Sequence, residues 1–510
     1  MRTLDVSNEA SSIELSSNWE ESLTGKEGLH TVEKIGGTSM SNFEAVKENI
    51  IKNPAIEDLY QRIFVVSAYG GMTDLLLDYK KTSEPGLFAL FSGGMTDDAW
   101  QKQLGVIKSK MFDINRNLFT DGSFVNDKAL EEANRFISER LQGAESCLED
   151  LKSLCLHGHF SLESHLNSVK EMLACLGEAH SAFNMAKLLQ LEGINACFVD
   201  LTGWNSEKHI SLDERIVKAF SQIDLSNTLP IVTGYAHSQE GLMSRFNRGY
   251  SEMTFSRIAV LTNAKEAVIH KEFHLSSADP RLVGEENVVP IGRTNYDVAD
   301  QLANLGMEAI HPQAAKGLRQ SEIPLRVRNT FEPEHLGTLI TSDYVSDSPC
   351  VEIIAGQKGI YAFEVFDQDM TSKLSEYDHA IVAVLKRFRL NFMAKDVNAN
   401  TITHYLNTNL KTIKRLIATL QKDYPEAEFS QKKVAIVSAI GSDMQVPGIL
   451  AKTVSALAEN KVSVLAIHQA MRQVDMQFVI EEPQYELAVQ SLHACLVEVH
   501  DHGRAICLAS

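Results

Sequence analysis

The chain has 510 residues, enough for about three domains. Its 48 Lys and Arg against 67 Asp and Glu give a formal net charge of −19. That balance argues against a general nucleic-acid binder, which needs a basic face for phosphates, and against attachment to anionic membrane surfaces. The seven cysteines are scattered without a C-x-x-C pair, which predicts reduced thiols in the cytoplasm. No apolar run approaches 18 residues and no signal-peptide pattern opens the chain, so no membrane segment or leader is expected.

Four regions are predicted along the chain. Residues 1–29 are rich in Ser and acidic residues and predict a loosely packed extension. Residues 30–345 alternate buried strands with helices, which favours an α/β domain with a mainly parallel sheet. Within them, residues 98–192 are mostly helical in composition, with breaks near Gly122 and Gly158. Residues 346–430 and 431–510 each follow the order strand–helix–strand–strand–helix, typical of ferredoxin-like βαββαβ units. The first repeat opens with predicted strands at 352–354 and 362–366, and the second has a predicted strand at 434–438 and a predicted helix at 449–459.

Near the start of the α/β region a strand runs into Lys34-Ile35-Gly36-Gly37-Thr38-Ser39. A helix is expected to follow, with Ser41 and Glu44 as a capping box. Paired glycines let backbone N–H groups approach an anion, and the lysine adds a full positive charge. The local sequence leaves open a plain strand–helix turn with a surface lysine.

The next predicted strand, residues 62–68, ends in Ser67-Ala68-Tyr69-Gly70-Gly71-Met72-Thr73. Ligands of open α/β sheets bind beyond the carboxyl ends of strands, so Ser67 and Thr73 could donate hydrogen bonds to a carboxylate. A turn without function is the alternative reading.

Two further segments place charge where a ligand would need it. Glu178 lies on an otherwise apolar stripe of a predicted helix, and such a carboxylate requires a partner, either a substrate ammonium or a structural Arg or Lys. Residues 245–252 pack two Arg, a Gly and a Glu ahead of a helix, which suits capture of a carboxylate or forms a solvated basic turn.

Common nucleotide and metal signatures do not occur. The chain has no G-x-G-x-x-G and no Walker A sequence. His270 and His274 are four residues apart around Lys271, but no acidic ligand stands in register with them, so a metal site there is not predicted.

Taken in order, these segments resemble the aspartokinase family of amino-acid kinases over residues 30–510. Lys34-Ile35-Gly36-Gly37-Thr38-Ser39 is similar to the family's opening Lys-Phe-Gly-Gly-Thr-Ser, and Gly177-Glu178 is similar to its helix glutamate. The resemblance implies an amino-acid-kinase fold followed by tandem ACT domains. Later segments that resemble family landmarks are Val232-Thr233-Gly234-Tyr235, Asp279-Pro280-Arg281, His311-Pro312 and Gly337-Thr338-Leu339-Ile340.

Three departures from the family pattern concern the site. Where the family has Gly-Arg-Gly-Gly-Ser-Asp, this chain has Asn247-Arg248-Gly249-Tyr250-Ser251-Glu252, so Tyr250 fills a position that is normally Gly. The family's Thr-Asp on the nucleotide strand is His270-Lys271 here, and a nucleotide-contacting lysine is lost at Glu308. We hypothesise that Lys271 replaces its charge. With the long helical insert, these variations are similar to the aspartokinase branch associated with ectoine biosynthesis.

The resemblance implies transfer of the γ-phosphoryl group of ATP to the β-carboxylate of L-aspartate, giving 4-phospho-L-aspartate. It implies catalytic roles for Lys34 and Glu252. Mg²⁺ would enter with ATP, held mainly by phosphate oxygens and water. The implied substrate-binding residues are Ser67, Thr73, Glu178, Arg248 and Ser251, and the implied ATP-binding residues are Gly36, Gly37, Ser39, His270, Lys271, Ser276 and Arg281.

Two alternatives stay open. One is another carboxylate or carbamate kinase of the same fold, and the other is a catalytically dead kinase that senses an amino acid through its ACT pair. ACT effector sites use a Gly-containing strand–helix turn at a dimer interface. The second unit has Val446-Pro447-Gly448 there and the first has Asp369-Met370-Thr371-Ser372 without a glycine, which predicts a homodimer or higher oligomer with weak or altered feedback by lysine or threonine.

Overall fold

The computed structural model describes residues 28–53, 59–79, 84–93, 98–120, 126–204, 210–246, 249–307 and 310–499. The predicted extension, apart from its last two residues, and the break near Gly122 lie outside these ranges. Contacts divide the chain into two compact units between Val268 and Ile269, called below the first and the second unit.

The sheet of the first unit places three strand ends side by side. Strands β1 (Thr31–Ile35), β2 (Arg62–Val66), β3 (Ala196–Val199) and β4 (Leu229–Thr233) are parallel in the order β3-β4-β2-β1. In register, Ile35 pairs with Val66, and Val66 pairs with Thr233. The segments after these three strands therefore leave from one edge of the sheet.

Helices cover this sheet. A 26-residue helix, Leu166–Leu191, is buried around nearly its whole circumference, because its apolar residues are not confined to one stripe. The helices of the first unit are α1 (Gly37–Met40), α2 (Phe43–Ala45), a π-helix (Val46–Ile51), α3 (Met72–Leu76), α4 (Leu87–Gly93), α5 (Ala99–Thr120), α6 (Asp127–Cys155), a 3₁₀ turn (Leu162–Ser164), α7 (Leu166–Leu191), α8 (Leu212–Phe220), α9 (Leu242–Phe246) and α10 (Tyr250–Leu261).

Strand β5 (Glu266–Lys271) runs across the division between the units. In the second unit, the strand Thr338–Thr341 pairs parallel with Arg293–Asn295 and antiparallel with Leu325–Asn329. The elements after β5 are α11 (Pro280–Val283), β6 (Arg293–Asn295), α12 (Tyr296–Asn304), α13 (Pro312–Gln320), β7 (Leu325–Asn329) and β8 (Thr338–Thr341).

The rest of the second unit is one antiparallel sheet of six strands in the order β10-β11-β9-β12-β14-β13. Its two central strands are long, and the predicted boundary at 430/431 falls inside one of them, Glu428–Ile440. The elements are β9 (Ile353–Phe366), α14 (Met370–Arg387), β10 (Phe392–Val397), β11 (Thr401–Leu406), α15 (Leu410–Asp423), β12 (Glu428–Ile440), α16 (Ile449–Glu459), β13 (Val464–Gln469), β14 (Asp475–Glu481), a 3₁₀ turn (Glu482–Gln484) and α17 (Tyr485–Leu496).

The predicted fold class, a mainly parallel α/β sheet followed by a tandem of strand–helix–strand–strand–helix repeats, is confirmed. Two local predictions were wrong. The capping box of Ser41 and Glu44 does not form, because Asn42 caps α2 by accepting a hydrogen bond from the Ala45 N–H. The two strands predicted around 352–366 are one continuous strand, which passes Gly359 at a φ of +83°.

None of the helices in the described part of the chain combines the length and the apolar composition needed to cross a membrane.

Candidate active site

The glycine turn after β1 lies against the loop after β2. A Cβ added to Gly37 would lie 2.7 Å from the Ala68 carbonyl oxygen, so any side chain at this position would push the two segments apart. Helix α1 begins directly at Gly37, and its cap residue Gly36 has no positive φ. A glycine is therefore required at position 37 because the two backbone segments approach closely there, and not because of an unusual φ.

Ser41 joins the two segments. Its hydroxyl donates to the Gly37 carbonyl at 3.2 Å and accepts from the Gly70 N–H at 2.9 Å. This use of the hydroxyl is why Ser41 does not serve as the cap of the next helix. The glycine turn and residues 67–73, called below the 67–73 loop, are thus held as one surface.

Glu178 projects from α7 toward these segments and is 2 % exposed. Burial raises the pKa of Glu178 well above its usual range, against the opposing effects of a hydrogen bond from the Tyr250 hydroxyl, the charge of Lys34 and a hydrogen bond from the Tyr235 backbone N–H. Its Oε2 has no hydrogen-bond partner among the described residues. A buried carboxylate oxygen without a donor is ready to accept a hydrogen bond from a ligand.

The tight packing around Glu178 explains the Thr-Gly-Tyr sequence after β4. A Cβ on Gly234 would lie 2.7 Å from the Val66 carbonyl oxygen, 2.9 Å from the Ser251 Cβ and 3.3 Å from the Glu178 carboxyl carbon. Only a glycine lets this strand end pass so close to the carboxylate.

Lys34 and Glu252 form a partly buried ion pair. The Lys34 Nζ lies 3.5 Å from Glu252 Oε1, and the two side chains are 9 % and 15 % exposed. Glu252 and Ser251 occupy the first turn of α10, where unpaired N–H groups and the helix dipole favour negative charge. The ammonium group of Lys34 is thus paired with Glu252, and its charge also acts on Glu178.

Several of these groups line a single cavity of about 270 Å³. It is bordered by the glycine turn, the 67–73 loop, α7 and the start of α10. The lining residues are Gly37, Thr38, Ser67, Ala68, Tyr69, Gly70, Gly71, Thr73, Asp74, Glu178, Tyr250 and Ser251.

The structure brings together most of the predicted residues of the first unit. Ser67, Thr73, Glu178, Ser251 and Gly37 all line the cavity. The ammonium group of Lys34 contacts Glu252, and its charge lowers the pKa of Glu178 against the larger effect of burial. Ser39 is fully buried, one turn into α1, and is not among the lining residues, and Gly36 caps α1. Arg248 lies outside the described residues.

Of the residues predicted to bind ATP, Gly36, Gly37 and Ser39 belong to the first unit and the other four belong to the second. His270 is buried near the end of β5, and the Lys271 carbonyl accepts from the Thr330 N–H at 2.8 Å. Ser276 donates to the Ala278 carbonyl at 2.9 Å. The exposed Arg281 forms an ion pair of 2.7 Å with Asp279, the cap residue of α11, and this pairing lowers the pKa of the Asp279 carboxyl.

Tyr250 is the residue whose part in the site sequence reasoning missed. It is helical and 3 % exposed, its hydroxyl donates to Glu178, and its ring packs edge-on against Tyr235 at 5.7 Å between centroids. The signal was visible in the sequence as an aromatic residue at a position normally occupied by glycine. Its effect required knowing that this helix start faces the Glu178 carboxylate.

Comparison with known proteins accounts for this arrangement. Residues 30–329 match the model of the amino acid kinase family, and residues 437–496 match an ACT domain. The chain belongs to the amino acid kinase family. The family match covers the glycine turn, the 67–73 loop, Glu178 and the Lys34–Glu252 pair.

Similar proteins carry one activity in their names. The chain is 53 % identical over 94 % of its length to the whole of aspartate kinase Ask_Ect from Stutzerimonas stutzeri. It is 24 % identical to the aspartokinase of Candida albicans, with 94 % of this chain and 92 % of that protein covered. Among solved structures, Escherichia coli aspartokinase III in complex with aspartate and ADP gives a TM-score of 0.68 at 18 % identity, covering 92 % of this chain and 99 % of that one, which shows likeness of fold.

Proposed function

We propose that this chain is an aspartate kinase, which transfers the γ-phosphoryl group of ATP to the β-carboxylate of L-aspartate and releases ADP and 4-phospho-L-aspartate. The observation that carries the proposal is the Glu178 carboxylate, buried at the wall of a cavity whose other sides are a glycine turn and a hydroxyl-bearing loop. A relative 53 % identical along its whole length bears the name aspartate kinase.

The cavity has the groups that an amino-acid substrate needs. The free Oε2 of Glu178 would accept from the substrate ammonium, which would replace the solvent that burial has removed. Ser67 and Thr73 would orient the β-carboxylate from the loop side. Ser251 at the start of α10, together with Arg248, would hold the α-carboxylate, where the helix N-terminus favours an anion.

The transferred phosphoryl group would lie at the glycine turn. Gly36, Gly37 and Ser39 would surround it with backbone N–H groups and the N-terminus of α1, and Lys34 would neutralise charge that develops on its oxygens. Glu252 would keep the lysine ammonium oriented through their 3.5 Å contact. Phosphoryl transfer depends chiefly on such positioning and charge stabilisation, so no covalent intermediate on the protein is required.

The nucleotide would also be bound by His270, Lys271, Ser276 and Arg281, which the family resemblance assigns to ATP together with Gly36, Gly37 and Ser39 of the glycine turn. Lys271 would supply the charge lost at Glu308, which lies outside the described residues. Mg²⁺ would accompany ATP and be coordinated mainly by phosphate oxygens and water, which suits a metal that loses its hydration shell reluctantly.

The wider setting is part of the same proposal. The ACT-like repeats would join two or more copies of the chain, and the enzyme would act in the cytoplasm. The product would feed aspartate-family amino-acid or ectoine biosynthesis.

The test is ATP-dependent formation of aspartyl hydroxamate in the presence of hydroxylamine, measured with the purified full-length chain. A panel containing aspartate, glutamate, N-acetylglutamate and carbamate separates the proposal from another carboxylate or carbamate kinase. Turnover with aspartate alone is expected. Turnover restricted to another acceptor, or ATP binding without any turnover, would replace the proposal by one of its two alternatives.

A further inference from the structure

The helix that carries Glu178 also holds the 67–73 loop in place. One turn after Glu178 along α7, the Ser181 hydroxyl donates to the Ser67 backbone carbonyl at 2.8 Å. One position before Glu178, a Cβ on Gly177 would lie 2.8 Å from the Ala68 Cβ, so helix and loop are in direct contact. The spacing between the ammonium site and the loop hydroxyls is therefore set by α7.

A second attachment lies one turn further along α7. The Asn184 amide Nδ2 donates to the hydroxyl of Tyr69, in the middle of the loop, at 3.4 Å. The Tyr69 ring meets the His180 ring edge-on, with 5.4 Å between centroids. Tyr69 is 5 % exposed, and His180, Ser181 and Asn184 are fully buried.

The same side chains connect the loop to helices α5 and α6, called below the α5–α6 insert. Asn115 of α5 accepts at its Oδ1 from Asn184 Nδ2 at 2.7 Å and from His180 Nε2 at 2.6 Å. Its own amide donates to Asn134 of α6 at 2.9 Å. Asn184 Nδ2 also lies 3.1 Å from His180 Nε2, so Asn115, His180 and Asn184 contact one another pairwise.

This cluster carries no net charge. Burial lowers the pKa of His180 to about 3, so the ring is neutral at physiological pH. Neutral hydrogen bonds between buried amides, a hydroxyl and an imidazole are directional and fix geometry without placing a net charge near the carboxylate. The cluster is therefore suited to positioning rather than to charge stabilisation.

We propose that Ser181 and Asn184 are positioning residues for the amino-acid substrate, and that through Asn115 the α5–α6 insert sets where the 67–73 loop presents Ser67 and Thr73. The inference rests on the proposed function for its catalytic consequence. Its structural part, immobilisation of the loop by these two side chains, does not depend on the identity of the substrate.

The test uses Ser181→Ala and Asn184→Leu in the full-length chain, with Asn53→Leu as the matched control. Asn53 is also buried, 5 % exposed, and its amide donates to the Asn49 carbonyl at 3.0 Å. Each positioning variant should raise the KM for aspartate about tenfold, the effect of one lost hydrogen bond, while the KM for ATP stays unchanged and kcat falls much less. The control should lower thermal stability without changing either KM.

Hydrogen exchange at the amides of residues 67–73 supplies a readout that needs no activity. Both positioning variants should accelerate this exchange about tenfold, and Asn53→Leu should leave it as in the unmodified chain. If Asn184→Leu does not fold, Ser181→Ala, which removes a single hydroxyl, carries the test. Unchanged loop exchange together with an unchanged KM for aspartate would overturn the inference, whereas accelerated exchange in a chain without aspartate turnover would overturn only the proposed function.

Discussion

Both units bury carboxylates, but they do so in different surroundings. In the first unit, Glu178 lies at the wall of a cavity. Like Glu352 in the second unit, it keeps one carboxylate oxygen, Oε2, without a hydrogen-bond partner among the described residues. In the second unit, Glu352 is fully buried, and its Oε1 accepts from both the N–H and the hydroxyl of Ser442, while the Ser442 hydroxyl also accepts from the Ser346 N–H. Burial raises the pKa of both groups, so a raised pKa does not by itself distinguish a site from a structural contact.

The second unit contains another group of buried polar side chains that are hydrogen-bonded to one another. Ser277 and His493, both fully buried, lie 2.9 Å apart, and the other ring nitrogen of His493 lies 2.8 Å from Glu498. A serine, a histidine and a carboxylate in this order also occur in hydrolases, but a nucleophile must be reachable by its substrate. This series of hydrogen-bonded side chains links the segment before α11 to α17 and stabilises their packing. What marks the first unit as the site is the access of its charged groups to a cavity.

Substitution of two buried lysines, one at the cavity and one elsewhere, should show the largest difference between a site residue and a structural residue. Lys34→Ala should lower kcat by at least about 10²-fold, because one positive charge opposite the transferring phosphoryl group is lost. Lys47, 7 % exposed, is a matched buried lysine that pairs with Glu44 at 2.7 Å. Lys47→Ala should lower stability and leave kcat nearly unchanged. Initial rates at saturating ATP and aspartate measure both, and near-normal turnover of Lys34→Ala would refute the role given to this residue.

The next largest difference is expected between substitutions of Glu178 and Glu352, in their effect on the KM for aspartate. Glu178→Gln should raise the KM for aspartate about 10- to 100-fold, since an amide oxygen cannot replace a charge-assisted hydrogen bond to an ammonium. Glu352→Gln keeps an acceptor for Ser442 and should leave that KM unchanged. Equal effects of the two substitutions on the KM would show that the cavity wall is not the substrate site.

The chemistry of the site explains how much of it the sequence could predict. Paired glycines, the hydroxyls of Ser67 and Thr73 and a carboxylate on an apolar helix stripe are each visible as residue types. The edge they share follows from parallel pairing of β1, β2 and β4, which hydrophobic runs predict. The contacts of Tyr250 and of Ser41 could not be predicted, because each depends on which side chain of a distant segment comes within hydrogen-bonding distance.

The second unit was predictable in element order and less so in extent. Helix α16 has the predicted bounds Ile449–Glu459, because its apolar positions recur at helical spacing. Strand β12 begins well before the predicted residue 434, since residues 428–433, which are polar and exposed except for the half-buried Phe429, pair with β9 over their full length. Polar residues on a strand that is held by its neighbour give no hydrophobic signal.

The pH dependence of the two units should also differ. Glu178 must be ionised to hold an ammonium, so the KM for aspartate should fall as the pH rises through its raised folded-state pKa, and Glu178→Gln should flatten that profile. The raised pKa of Glu178 has the opposite consequence for stability, which falls as the pH rises while aspartate binding improves. Between the ordinary value of 4.5 and the raised pKa the folded chain holds the proton more often than the unfolded chain, so this contribution to the free energy of unfolding is full below 4.5 and is lost as the pH rises.

Aspartate KM values and denaturant midpoints measured over a pH series, for the unmodified chain and for Glu178→Gln and Glu352→Gln, separate these effects. Glu352→Gln should alter the pH profile of stability while leaving the pH profile of the KM as in the unmodified chain. A KM profile that is unchanged in Glu178→Gln would assign the titration to another group.

The smallest expected effect concerns the two ACT-like turns. In the second repeat, Gly448 precedes α16 at a φ of +84° and borders a cavity of about 340 Å³ together with Gln469 and Gln473. In the first repeat the equivalent turn is filled by Asp367, whose carboxylate accepts from the Asp369 N–H at 2.9 Å and from the Tyr377 hydroxyl. One turn is open to a ligand, and the other is closed by its own side chain.

This asymmetry predicts weak feedback. Allosteric coupling is typically 5- to 150-fold, so a change of less than about twofold in the aspartate-dependent rate is expected when lysine or threonine is added at micromolar concentration. If a response appears at higher concentration, Gly448→Val should remove it and Asp367→Asn should not, because only the first substitution obstructs the open turn, at a cost of about 1–2 kcal/mol from a side chain at positive φ. Strong inhibition by micromolar lysine would overturn the prediction of weak feedback, and the two substitutions would then show which of the turns binds the effector.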